Sequence, residues 1–411
     1  MRKPKVVCPK TNLVLGDSFS IEIHELEPDQ QIRIEAMTQD HADRVWRSWA
    51  TWQADVNGYV NIATQEPCEG SFQGVDSYGL VYGMELSEPS YPPHFLDDRH
   101  QQTVSFCFLL NNQVMQETDI TFDFYQAATT QIEVRETFEG KFFTPLNIEA
   151  TLPAVLLLGG SAGGFHWSEQ AARYLAAQGY AALAVAYFDW DGSNSLPTQL
   201  ADIPLEPCLD AVKWLANHSM VDGKRIGLIG YSKGAELALL LASKLEDVPL
   251  QALVALSPSS HIFSGFSMEE GRDASSWSFQ GTPVPFLPYP ETNQPLYAAN
   301  LYDLHCEALK QASEDTWKQA RIPVENIRAP IFVAAGEKDT VWPSVQMVET
   351  IAAHVSSKQN LETVILHEAG HDFTLPYLPI IVSDHGLVKE EIEAARRKTW
   401  ERVQEFLRDK V

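Results

Sequence analysis

The sequence predicts an α/β protein in two parts: an antiparallel β-sandwich over residues 1–129, then a doubly wound, mostly parallel sheet over 130–411. Three observations carry this. Before about residue 130, short runs alternate apolar and polar residues between turn formers. After it, continuous apolar runs alternate with helical stretches, the pattern of βα units. Within that second part, a glycine-flanked serine sits between such a run and a helical one.

In the first part, the alternating runs are Ser20–His24, Gln31–Glu35, Tyr59–Ile62 and Thr103–Phe108. Asp55-Val56-Asn57-Gly58 supplies a turn between two of them. Trp46, Trp49 and Trp52 recur three apart and are expected to pack in the core rather than to cage a cofactor.

In the second part, strands are expected at 153–158, 180–187, 225–230, 251–256, 330–335 and 362–367. Helices are expected near 167–178, 203–217, 233–245, 344–356 and 387–408. One segment breaks the rhythm. More than seventy residues separate the fourth strand from the fifth, with a Pro- and aromatic-rich centre at Trp277–Pro290 and a helical stretch over 296–321. An insertion of that length either caps the site and lines a tunnel there, or packs over the sheet edge, or makes a dimer contact.

Gly230-Tyr231-Ser232-Lys233-Gly234 follows the short run from Arg225 and precedes the helix formers from Ala235. A serine on a tight strand-to-helix turn presents its hydroxyl, while the next N–H, that of Lys233, and the helix N-terminus face any oxyanion formed there. The bland alternative is an ordinary βα turn. Gly159-Gly160-Ser161-Ala162-Gly163 fits the same motif, but Gly164 follows, and glycines weaken immediate helix formation. That run reads as an oxyanion loop in the α/β-hydrolase plan, with Gly160 and Ser161 as candidate donors. It lacks the Gly-Lys-Ser/Thr ending of a phosphate loop. Ser232 is therefore the candidate nucleophile.

A serine nucleophile needs a base, and the base needs an orienting acid, expected downstream at strand ends. The strand at 330–335 runs into Gly336-Glu337-Lys338-Asp339, leaving Asp339 and Glu337 as candidate acids. The last strand leads into His367-Glu368-Ala369-Gly370-His371. His371 follows a glycine in a loop and is the candidate base; His367, nearer the strand, is expected to pack. The ten other histidines are scattered and expected to be solvated or structural.

With these residues assembled, the chain resembles the acyl-CoA thioesterase and bile acid-CoA:amino acid N-acyltransferase family from about residue 12 to the C-terminus. The resemblance rests on Gly230 to Glu236, Gly159 to Gly164, Ala186-Tyr187-Phe188, Gly336 to Asp339, and Ala369-Gly370-His371 with Pro376-Tyr377. Trp46 to Gly58, Gly70 to Asp76 and Gly79-Leu80 extend it through the first part. It favours Asp339 over Glu337 as the acid. Thioesterase members carry serine at the nucleophile, and the best-known amide-forming member carries cysteine. Ser232 therefore implies hydrolysis of an acyl-CoA to a fatty acid and free CoA, and speaks against transfer to glycine or taurine. The alternatives are a carboxylesterase or dienelactone-type hydrolase, the N-acyltransferase, and a non-catalytic scaffold.

Composition narrows the class. Hydrophobic residues are 45% of the 411, which excludes a largely disordered chain. No apolar run reaches the ~18 residues of a membrane span. The start, Met1 to Cys8, lacks a signal-peptide core, and Asp409-Lys410-Val411 is not a peroxisomal address, so the cytoplasm is expected. Cys8, Cys68, Cys107, Cys208 and Cys306 show no C-x-x-C spacing and read as free thiols. No cofactor and no metal are expected. A net charge of −25, spread over both halves, disfavours nucleic acid. It also steers CoA poorly, so a CoA site needs a local cation. Lys233 is a candidate neighbour, with surface solvation as the alternative.

Overall fold

The computed structural model describes residues 4–90, 95, 101–123, 129–148, 150–192, 194–266, 273–291, 300–356, 360–381 and 386–411. The first three residues of the basic start, His94, His100 and His385, and positions 296–299 of the expected helix lie outside these. The chain divides into two compact units. One comprises Met1–Gln126 with Leu375–Ser383 and Val388–Ala394; the other comprises Ala127–Thr374 with Asp384–Leu387 and Ala395–Val411. No shift in composition marks the two late pieces of the first unit.

The first unit holds two sheets. The larger, of seven strands, is built around Gln31–Gln39, Val45–Gln53, Gln101–Leu110 and Gln113–Asp123, paired antiparallel. Asn12–Val14 joins its edge in parallel. A three-stranded sheet pairs Lys5–Val7, Glu22–His24 and Val60–Asn61. The expected alternation is present, with Ile32, Ile34 and Ala36 buried on one face. The tryptophans divide by the same period of two. Trp46 and Trp52, six residues apart, share the core face, whereas Trp49 lies on the other and is covered by the Arg33 guanidinium, 3.9 Å from its ring centroid.

The second unit is built on an eight-stranded sheet. Its strands are β1 (Thr129–Arg135), β2 (Glu139–Pro145), β3 (Leu152–Leu158), β4 (Ala181–Ala186), β5 (Val221–Tyr231), β6 (Leu250–Leu256), β7 (Ile331–Gly336) and β8 (Leu361–Leu366). Their order is β1-β2-β4-β3-β5-β6-β7-β8. The pairs β1–β2 and β2–β4 are antiparallel, and the rest are parallel. The expected strands are present, each shifted by a few residues at most. The β1–β2 hairpin escaped the sequence reading because Thr129–Arg135 alternates weakly and is half exposed.

Every residue of β4 and β7 is buried, which requires cover on both faces. The helices are α1 (His166–Ala176), α2 (Glu206–Asn217), α3 (Lys233–Lys244), α4 (Leu301–Gln311), α5 (Glu314–Ala320), α6 (Ser344–His354) and α7 (Lys389–Lys410). Crossovers of this kind leave the C-terminal strand ends on one side, where an open sheet presents its site. The insertion after β6 contributes α4, α5 and a small strand pair, Trp277–Phe279 with Thr282–Pro283, which joins Ile203–Pro204 in a three-stranded sheet.

Candidate active site

Ser232 stands at the junction of β5 and α3 with φ 56° and ψ −120°, a conformation that costs a non-glycine residue about 1–3 kcal/mol. Its own backbone bonds hold it there. Its N–H donates to Leu256 C=O at 2.9 Å, and its C=O accepts from Ala235 N–H at 2.8 Å and Glu236 N–H at 3.2 Å. The two glycines of the motif serve close approach, not positive φ. A Cβ on Gly230 would lie 2.1 Å from Gly234 O, and one on Gly234 would lie 2.2 Å from Gly159 O.

His371 is brought to Ser232 by the loop after β8. Its Nε2 lies 2.8 Å from Ser232 Oγ, and its Nδ1 lies 2.8 Å from Asp339 Oδ2. An ionised carboxylate only accepts, so Nδ1 carries the ring proton and Nε2 offers its lone pair to the serine hydroxyl. All three side chains are buried. The ring is held from several sides: Trp342 packs edge-on at 5.4 Å, Tyr231 lies at 5.8 Å, and Ser257 Oγ donates to the His371 carbonyl at 2.8 Å.

Asp339 is oriented on both oxygens. Oδ1 accepts Val341 N–H at 2.8 Å and Trp342 N–H at 3.2 Å, and the Ser344 hydroxyl donates to Oδ2 beside His371. Burial alone would raise this carboxyl. His371, Ser344 and the Val341 N–H together outweigh it and hold Asp339 below the usual carboxylate range. The acid loop and the histidine loop are joined directly: Lys338 N–H donates to Ala369 C=O at 2.9 Å, and a Cβ on Gly336 would lie 2.2 Å from Gly370 O.

The competing pair is elsewhere. Glu337 and His367 are exposed and bond each other, Oε1 to Nδ1 at 2.7 Å. His367 was expected to pack; instead the strand ends one residue before it and releases it to solvent.

Gly160 faces the serine: a Cβ there would lie 3.2 Å from Ser232 Cβ and 3.6 Å from its Oγ. Gly163 and Gly164, at φ 76° and 53°, make the turn that a helix could not. The Lys233 N–H is the first of α3, directly after Ser232. Its side chain corrects both readings made from sequence, since it is neither solvated nor turned to a ligand. Lys233 Nζ is buried and lies 2.7 Å from Glu236 Oε1, which also accepts the Trp277 indole N–H at 2.7 Å. Burial pulls the Lys233 ammonium down and pushes the Glu236 carboxyl up, each opposed by the other's charge.

Sequence reasoning gave no role to Ser344 or Ser257, because hydroxyls that support a site carry no motif of their own. The five cysteines are unpaired. Among the described residues, no group of three or more His, Cys, Asp and Glu side chains is placed to hold a metal ion. No helix among them is long and apolar enough to cross a membrane.

Residues 203–411 match the model of the BAAT / acyl-CoA thioester hydrolase C terminal, and residues 16–136 match that of the acyl-CoA thioester hydrolase/BAAT N-terminal region. Residues 138–261 match the dienelactone hydrolase family. Acyl-coenzyme A thioesterase 6 of Mus musculus is 26% identical over 95% of this chain and 92% of its own length. The mitochondrial acyl-coenzyme A thioesterase 2 of Mus musculus is 26% identical over 97% and 87%. Among solved structures, a Pyrobaculum calidifontis esterase is 17% identical over 69% of this chain and 85% of that chain, with a TM-score of 0.45.

Proposed function

The chain belongs to the BAAT / acyl-CoA thioester hydrolase family, and on that premise we propose that it hydrolyses acyl-CoA thioesters through an acyl-enzyme on Ser232. The observation that carries the reading is the relay from Ser232 Oγ through His371 to Asp339, closed by two contacts of 2.8 Å. Ser232 is the nucleophile, His371 the general base and then acid, and Asp339 its orienter.

In the first half-reaction Ser232 Oγ bonds to the thioester carbon while its proton passes to His371 Nε2. The carbonyl oxygen becomes an oxyanion, met by the Lys233 N–H and an N–H of the Gly160–Ser161 stretch. Collapse breaks the C–S bond, and the Nε2 proton goes to the departing sulfur, leaving an oxygen ester on Ser232 and free CoA. In the second half, His371 takes a proton from water, whose oxygen attacks the ester carbon. The proton then returns to Oγ, and a fatty acid is released. Asp339 stays ionised throughout and stabilises the imidazolium formed in each half.

The substrate class sets the protein in lipid and fatty acid metabolism. Its unpaired thiols suit a reducing compartment, and we assign it to the cytoplasm. The first 129 residues form the N-terminal domain of this reading and 130–411 its catalytic domain. The insertion after β6 is its cap over the acyl chain.

Thiol released from acyl-CoAs of graded chain length tests the proposal, with Ser232→Ala as blank. Wild type should release thiol and the variant should not. Hydrolysis of p-nitrophenyl esters without thiol release would favour the carboxylesterase reading. Amide formed on adding glycine or taurine would favour the N-acyltransferase. Equal fluorophosphonate labelling of wild type and Ser232→Ala would remove the nucleophile assignment.

A further inference from the structure

Tyr187 follows β4 directly, and the reaction above does not use it. Its hydroxyl donates to Gly159 C=O at 2.7 Å and lies 3.4 Å from Gly160 O. Three residues on, the Trp190 indole N–H donates to Ser161 C=O at 2.9 Å. Between them, Phe188 C=O accepts Gly164 N–H at 2.9 Å. One four-residue segment thus holds the oxyanion loop by three carbonyls and an amide.

The consequence comes from the peptide plane. A trans peptide directs its N–H opposite to its C=O. A hydroxyl that holds the carbonyls of Gly159 and Gly160 therefore fixes the directions of the next two N–H groups, those of Gly160 and Ser161. The loop needs such a hold, because a glycine-rich turn has many backbone conformations available. It runs against the nucleophile, with a Cβ on Gly160 reaching 3.2 Å from Ser232 Cβ. Tyr187 is buried, and its ring meets Trp277 edge-on at 5.5 Å. Burial also pushes its phenol well above the ordinary range, so the hydroxyl stays a donor at any working pH.

We infer that Tyr187 is a positioning residue for the oxyanion loop: its hydroxyl holds the Gly159 and Gly160 carbonyls so that Gly160 and Ser161 present their N–H groups to the oxyanion on Ser232, with Trp190 bracing the Ser161 carbonyl. The inference rests on Ser232 being the nucleophile.

Tyr187→Phe keeps the ring and removes the hydroxyl. A donor lost outright costs about 10²–10³ in rate, so a donor misdirected should cost about 10- to 100-fold in kcat, with KM within about twofold. The rate constant for fluorophosphonate labelling of Ser232 should fall by a similar factor, because phosphonylation develops charge on the same donors and needs no CoA. A merely structural residue would lower the unfolding midpoint and leave these two rates together near wild type. Wild-type kcat and labelling in Tyr187→Phe, or a change confined to KM, overturns the inference. If Tyr187→Phe does not fold, Trp190→Phe decides: it must lower kcat and labelling together at constant KM, and unchanged rates overturn the inference. Wild type that labels at Ser232 yet releases no thiol from acyl-CoA sinks the substrate reading alone, and the labelling rates still decide on Tyr187. Labelling indifferent to Ser232→Ala sinks both.

Discussion

Trp277 donates its indole N–H to Glu236 Oε1 at 2.7 Å, with both side chains fully buried. Glu236 lies on the first turn of α3, just after Ser232, and Trp277 opens the first strand of the insertion. The same oxygen lies 2.7 Å from Lys233 Nζ. A single carboxylate therefore ties the insertion, the helix and the turn that carries the serine. The lysine beside Ser232 is thus buried and paired within the fold of the site.

Breaking that pair on one side leaves an uncompensated charge in the interior. Lys233→Met should lower the unfolding free energy by about 3–5 kcal/mol in urea titrations. Lys233→Met combined with Glu236→Gln, which keeps an acceptor for Trp277, should recover much of the loss. Purely additive losses in this double-mutant cycle would show that the two groups do not act as a pair.

Asp339 makes four hydrogen bonds: to Val341 N–H, Trp342 N–H, the Ser344 hydroxyl and His371. Asp339→Asn keeps the shape but presents a donor or a weak acceptor to Nδ1, which favours the wrong tautomer. Its kcat on acyl-CoA should fall by about 10⁴. Ser344→Ala removes one support and should cost about tenfold. A Ser344→Ala loss as large as that of Asp339→Asn would mean the hydroxyl does more than orient the carboxylate.

How much of this was legible follows from range. The β5–Ser232–α3 turn, the acid loop after β7 and the histidine loop after β8 are each local, with the strand, the glycine and the reactive residue within a few positions. Their assembly required only that parallel strands end on one side. The division between Asp339 and Glu337 was not local. Glu337 shares the strand-end loop with Asp339, and only three-dimensional structure reveals that it bonds His367 at the surface. Lys233 failed for a related reason. A lysine in a motif reads as exposed by default, and the residues that bury it, Glu236 and Trp277, lie three and forty-four positions away. The β1–β2 hairpin lacked the continuous apolar runs that marked the other strands, because its edge strand is half exposed.

Gly234 is a packing requirement of the elbow. A Cβ there would lie 2.2 Å from Gly159 O and 2.3 Å from Leu158 O, both backbone atoms that cannot swing aside. Gly234→Ala should cost about 3 kcal/mol or more of stability and push the oxyanion loop away from Ser232. Loss of activity in Gly234→Ala with an unchanged urea midpoint would still fit a local displacement; full activity with an unchanged midpoint would not.

Stability should also depend on pH through two histidines outside the relay. Burial drives His305 down to about 3, with Tyr289 Oη bonded to its Nε2 at 2.9 Å. Burial, with Arg321 and His354 nearby, drives His261 down to about 4. Both rings stay neutral in the native state over a range where the unfolded chain, with histidines near 6.5, takes up protons. The unfolded state then binds more protons, so the unfolding free energy falls as pH drops below about 6.5. Each ring contributes a slope of about 1.4 kcal/mol per pH unit, and both act together from about pH 6 down to pH 4, where His261 begins to titrate in the native state. The lowered Asp339 carboxyl adds a loss of the same sign only at lower pH, near the usual carboxylate range and below. Urea midpoints measured from pH 7.5 to 4.5 should trace this decline, and His261→Asn should remove about half of its slope. A flat profile between pH 7 and pH 5, or an unchanged slope in His261→Asn, would mean that these rings are protonated in the native protein or reached by water.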